Sequence, residues 1–243
     1  NQASLGLIEL GVQPGETIAV ISNNRPEWNI IDVAAGQVGA VLCPVYPTVS
    51  ENDYKFIFND AGVKLAFVSD ADILAKVNSI KAEVPTLKGV YSFNDLSNVA
   101  HWTDVLKLAK PNHQVELDRR KAAVNEDALA TLIYTSGTTG NPKGAMISHK
   151  NLISNAQNCV ERLPVGNEAK ALSFLPLCHV YERMLTYLYQ ITGVSIYYAE
   201  SMDTIGDNIR EVKPDIFAAV PRLIEKVYDK IIAKGAEQKG IKK

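Results

Sequence analysis

The chain holds 243 residues, 47% hydrophobic and 21% charged, with a net charge of −2, enough for one large α/β domain or two small ones with a core that needs no staples. That charge balance, with no long Lys/Arg run outside the C-terminal KGIKK, argues against a nucleic-acid partner. Three scattered cysteines, Cys43, Cys159 and Cys178, with no CxxC or Cys/His cluster, speak against a zinc site or disulfide framework and suit a reducing cytosol.

The opening NQASLGLIELG, which starts at Asn1 rather than Met, reads as a helix already under way, as in a piece cut from a longer protein. Pro14-Gly15 is a turn signal before the strand TIAVIS (17–22). Asn24, with Glu27 three residues on, resembles a capping box for a helix over 26–39. After the strand AVLCPV (40–45), Ser50 and Asp53 repeat that box before a helix over 51–62 closed by Gly62. Strands LAFVS (65–69) and GVYSF (89–93) follow. The polar stretch 94–128 predicts one short helix near Trp102 to Leu108 and then a connector, with His101 and His113 on its surface. A lobe boundary placed there gives lobes 1–125 and 126–243 within a domain spanning 1–243. Beyond it come LATLIY (129–134), a helix over 151–163, ALSFLP (171–176), a helix over 179–193 closed by Gly193, VSIYYA (194–199) and IFAAV (216–220). Strands alternating with helices predict an α/β fold of mostly parallel sheets with helices on both faces.

Between LATLIY and AMIS (145–148), both read as buried strand, stands TSGTTGNPKG (135–144). Hairpin loops usually hold ~2–5 residues, so a ten-residue connection asks for a purpose. Consecutive N–H groups with glycines can curl around an anion, hydroxyls of Thr135, Ser136, Thr138 and Thr139 add donors, and Lys143 adds a charge: phosphate is the natural guest. A P-loop is excluded, because Pro142 and Gly144 flank Lys143 where Gly and Ser/Thr are needed, and AMIS separates the loop from the next helix.

The string YTSGTTGNPKGAMISH resembles the signature of the adenylate-forming superfamily, which includes acyl-CoA synthetases, luciferases and nonribosomal-peptide adenylation domains. FLPLCHVYERM (174–184), ISNNRPEW (21–28), GAVLCPVYPT (39–48) and VPRLIEKVYDKI (220–231) are similar to long-chain fatty acyl-CoA synthetases. The resemblance implies a ligase that joins a fatty acid to ATP, releases pyrophosphate and passes the acyl group to coenzyme A. It implies phosphate binding by Thr135, Ser136, Gly137, Thr138, Thr139, Gly140 and Lys143, with Thr135 also contributing to Mg²⁺. His179 matches a position at the carboxylate and acyl entrance, with catalytic and substrate-binding roles, and Tyr181 and Arg183 join it on the substrate side. Arg183 stands where some bacterial members carry a gating Trp, so a Trp gate is not expected.

Family members run beyond twice this length, and segments like Y-G-x-T-E and S-T-G-D and a C-terminal lid are not found in this chain. The expectation is therefore an isolated chain that is inactive. The competing readings are a ligase for an aryl or short-chain acid and a catalytically silent nucleotide-binding module. No apolar run reaches the ~18 residues of a spanning helix. A cytoplasmic location is expected, with room for peripheral membrane association of the parent.

Overall fold

The computed structural model describes residues 1–135 and 140–237. Their helices are α1 (Gln2–Glu9), α2 (Pro26–Gln37), α3 (Glu51–Asp60), α4 (Ala71–Ile80), α5 (Trp102–Lys107), α6 (Gln114–Ala123), α7 (His149–Cys159), α8 (Val180–Thr192), α9 (Ile205–Val212) and α10 (Pro221–Glu237). The strands are β1 (Thr17–Ile21), β2 (Val41–Pro44), β3 (Val63–Val68), β4 (Gly89–Ser92), β5 (Ala100–His101), β6 (Leu129–Thr135), β7 (Lys143–Ser148), β8 (Lys170–Ser173), β9 (Ser195–Tyr198) and β10 (Ile216–Phe217). A seven-stranded sheet runs β5-β4-β3-β1-β2-β6-β7 and a three-stranded one β10-β8-β9. Every pairing is parallel except β6 with β7. This is the α/β arrangement that the alternating pattern predicts.

The continuously apolar strands are explained by burial on two sides. Along β1, Ile18 and Val20 point into one core with Trp28, Ile31 and Ala35 of α2, while Ala19 and Ile21 point into another with Tyr54, Ile57 and Phe58 of α3. In the small sheet, Ala171 packs toward Tyr189 of α8 and Leu172 toward Ile205 of α9. A fully buried side chain such as Phe67 or Ile18 contributes about 1.5–3 kcal/mol. Among the described residues no helix is long and apolar enough to cross a membrane.

Three sequence expectations change. The sheets divide after Ser148 rather than near residue 125, because β6 pairs with β2 and carries β7 into the large sheet. The stretch after Leu108 is not a bare connector but holds α6, which buries only Leu117 and Arg120 and so shows little apolar period. AMIS is not a buried strand: β7 is an edge strand with Met146 73% exposed.

Candidate functional site

Parallel α/β sheets bind ligands beyond the carboxyl ends of their strands, and Thr135, Gly140 and Lys143 stand there. β6 runs parallel to β2 and ends at Thr135, so the Gly/Thr loop leaves from the edge where β1 and β2 end. The chain returns antiparallel as β7, with Thr135 opposite Lys143 and Tyr134 opposite Gly144. Thr135, Gly140 and Lys143 are exposed at this mouth. Gly140 holds φ +127°, a conformation that side chains disfavour. Ser136, Gly137, Thr138 and Thr139 lie outside the described residues.

The register of the mouth is pinned from below. The Tyr134 hydroxyl donates to Oδ2 of Asp60 at 2.5 Å, at the end of α3. Its ring lies against Gly144, where a Cβ would come within 3.0 Å of Cζ. Burial first, then the Asp60 carboxylate, raises the Tyr134 hydroxyl well above its usual range, so it stays protonated as a donor.

The small sheet supplies the opposite wall. A cleft of about 490 Å³ is lined by Ser22, Tyr46, Thr48, Phe174, Cys178 and Met202, among others, from the carboxyl ends of β1, β2, β8 and β9. Burial and the facing Cys178 thiol push Tyr46 up to about 12, and burial brings Cys178 to about 12 as well. Both stay protonated and act as neutral lining. His179, the next residue, caps α8: it is exposed, and its Nδ1 accepts from the Tyr181 backbone N–H at 3.3 Å. Tyr181 is 43% exposed.

Arg183, expected with the substrate-binding residues, is instead 1% exposed. Its Nε donates to Oδ2 of Asp32 on α2 at 3.1 Å, its Nη2 pairs with Oδ1, and its guanidinium lies 5.6 Å from the Trp28 ring centre. The Tyr187 hydroxyl donates to the same carboxylate at 2.6 Å. Burial opposes the Arg183 charge, but Asp32 and Tyr187 outweigh it, so the guanidinium is held above its ordinary range. The helical phase explains the placement. Tyr181 falls on the outer side of α8, and Glu182 and Arg183 turn inward.

Asn24 is the residue that sequence reasoning misassigned. The cap of α2 is Arg25, with no side-chain cap bond, and Pro26 opens the helix. The Asn24 amide instead crosses to the small sheet, donating to Ser173 Oγ (3.0 Å) and Leu175 O (2.6 Å) and accepting from Leu177 N–H (3.0 Å). The one signal available was that ISNNRPEW and FLPLCHVYERM both belonged to the resemblance. In space they touch.

Among the described residues no three His, Cys, Asp or Glu side chains cluster to hold a metal. Thr135 offers a hydroxyl oxygen, which suits a Mg²⁺ that arrives with nucleotide phosphates rather than one in a protein cage.

The chain is 32% identical over 231 residues to the long-chain-fatty-acid–CoA ligase FadD15 of Mycobacterium bovis, covering 93% of this chain and 38% of that protein. It is 32% identical over 241 residues to the peroxisomal long chain acyl-CoA synthetase 6 of Arabidopsis thaliana, covering 93% and 33%. The chain therefore spans roughly a third to two-fifths of these relatives' length. In fold it resembles the long-chain-fatty-acid–CoA ligase FadD1 of Archaeoglobus fulgidus, with a TM-score of 0.82 at 21% identity over 96% of this chain and 46% of that one. It also resembles the N-terminal domain of FACL13 from Mycobacterium tuberculosis, with a TM-score of 0.81 at 22% identity over 99% and 58%. The AMP-binding enzyme family matches residues 1–242, and the chain belongs to that family.

Proposed function

We propose that this chain is the phosphate-binding, N-terminal part of a long-chain fatty acid–CoA ligase that uses ATP, Mg²⁺ and coenzyme A. The observation that carries the reading is the β6–β7 hairpin: a Gly/Thr loop launched from the carboxyl edge of a parallel sheet, with Thr135 and Lys143 paired across its mouth. Similarity to long-chain acid–CoA ligases supports the choice of acid.

In this reading a fatty carboxylate oxygen attacks the α-phosphorus of ATP. The bond to the bridging oxygen of the β-phosphate breaks, and pyrophosphate leaves with the electron pair. The sulfur of coenzyme A then attacks the acyl carbon, loses its proton, and AMP departs. The loop from Thr135 to Gly140, with Lys143, holds the β- and γ-phosphates and meets the charge that grows on them. Thr135 would be the residue to meet a Mg²⁺ carried in with the nucleotide, and the ion would supply positive charge against the leaving pyrophosphate. His179 and Tyr181 stand at the acid's entrance. The carboxylate and its thioester product are amphiphilic, which supports peripheral contact of the parent with membranes; the scattered free cysteines support a reducing, cytoplasmic setting.

Phosphate contacts alone predict ATP affinity of roughly millimolar, about −4 kcal/mol. Titration of the chain with ATP·Mg²⁺, followed by amide NMR, is expected to shift Thr135, Gly140 and Lys143 and saturate near that range. Lys143→Ala should weaken binding about tenfold or more, as a charged hydrogen bond contributes ~1.5–3 kcal/mol. Tight binding that leaves the loop signals unmoved would sink the assignment, as would turnover of fatty acid, ATP and coenzyme A by the chain alone for the claim that it is incomplete.

A further inference from the structure

Residues 21–32 and 173–183, on either side of the cleft, meet at two points, and His179 lies between them in the chain. The first point is Asn24. A side-chain amide carries donors and an acceptor on one plane, and here all three of its bonds go to a single segment, Ser173 Oγ, Leu175 O and Leu177 N–H. Beyond Ser173, where β8 ends, the chain bends at Leu175 and turns at Leu177, so its backbone groups leave the sheet ladder. Asn24 supplies partners for the Leu175 carbonyl and the Leu177 N–H there, groups that would otherwise go without a strand to pair with.

The second point is Arg183, fixed to Asp32 and lying over Trp28. Its backbone N–H also bonds to His179 O at 3.3 Å, and His179 N–H bonds to Pro176 O at 2.9 Å. Residues 175–177 are therefore held from one side and residue 183 from the other, by Asn24 in the turn before α2 and by Asp32 in the middle of that helix.

We propose that Asn24 is a positioning residue for the acid side of the cleft: with the Asp32–Arg183 anchor it fixes the segment 175–183 to the large sheet and so sets His179 against the strand ends where the phosphate loop begins. The inference rests on the ligase reading and adds to it. Asn24 lines the cleft, but its amide is taken up by Leu175, Leu177 and Ser173, and it works through them. Its loss changes where the carboxylate is met while leaving the loop mouth, pinned separately by Tyr134 and Asp60, in place.

The test uses Asn24→Ala and, as a milder variant that keeps the bonds to 175 and 177, Ser173→Ala. In this chain, NMR should show the Leu177 amide and the His179 ring proton signals displaced in Asn24→Ala, with Thr135 and Lys143 amides unmoved. In the full-length ligase, Asn24→Ala should raise the KM for the fatty acid at least about tenfold, with a KM for ATP changed less than about twofold, as expected when a reactant is misplaced by an ångström or so. Ser173→Ala should fall between variant and wild type. An active wild type whose Asn24→Ala form keeps its acid KM, or loses acid and ATP binding in equal proportion, would overturn the proposal. A His179 signal that stays in place would do the same. A wild type with no acid-dependent use of ATP would instead overturn the ligase reading on which the proposal stands.

Discussion

Glu182 shows how far a single residue's behaviour depends on its surroundings. It is 3% exposed, and burial, partly opposed by a hydrogen bond from Ser173, pushes its carboxyl up to about 7 from 4.5. The folded chain thus keeps this proton to near neutrality, while the unfolded chain releases it near 4.5. Stability from the neutral carboxyl is complete below that value and is lost as pH rises through 7, by on the order of 3 kcal/mol. Glu182→Gln, neutral at every pH, should flatten that slope and raise the urea midpoint at pH 8. An identical pH profile in the two proteins would refute the assignment. Legibility at this scale tracks distance along the chain. The Ser50–Asp53 box is present because its partners are three residues apart. Asn24 was misread as a cap because its partners stand some 150 residues away.

At the scale of elements, the loop hairpin was the most legible feature, since apolar runs around a Gly/Thr/Pro stretch say strand, turn, strand. The burial of its second strand was not legible, because an edge position depends on what lies beside it. Gly144 makes the hairpin's geometry testable. A Cβ there would meet Tyr134 at 3.0 Å, and Tyr134 cannot retreat without leaving Asp60. Gly144→Ala should destabilise the chain by about 1–3 kcal/mol and weaken nucleotide binding at the mouth. A thermal midpoint and an ATP titration both matching wild type would show that the Tyr134 ring has room to yield. The helix α6 escaped sequence reasoning for the opposite reason. It is mostly solvated, and its buried members, Leu117 and an Arg120 bonded to Glu116 and Val12 O, leave no apolar stripe to read.

For the molecule as a whole, the sequence conveyed the fold class through its alternation of apolar strands and helical patterns, but not how the two sheets are joined. Trp28 of α2 and Leu177 after β8 share one core, with Tyr198 of β9 against it, and Asn29 donates to the Tyr198 hydroxyl at 2.5 Å. Asp32 and Arg183 add an ion pair with both members nearly solvent-free. The two sheets should therefore melt as one unit, with a single calorimetric transition that coincides by near- and far-ultraviolet circular dichroism. Asp32→Ala leaves the guanidinium buried without its partner, which typically costs about 3–5 kcal/mol, and should lower that transition markedly. Separate transitions in the unaltered chain would refute this coupling.

The Asn24 amide, bonded across to a segment some 150 residues away, has a consequence for how such proteins can be recombined. Residues 21–32 and 173–187 behave as lock and key cut from one blank, though most of the chain's length lies between them. If Asn24 positions the acid side of the cleft as proposed, a chimaera that takes only one stretch from a relative lacking its counterpart is expected to leave Leu175 O and Leu177 N–H without their holder. On that proposal the two stretches belong in one exchanged unit.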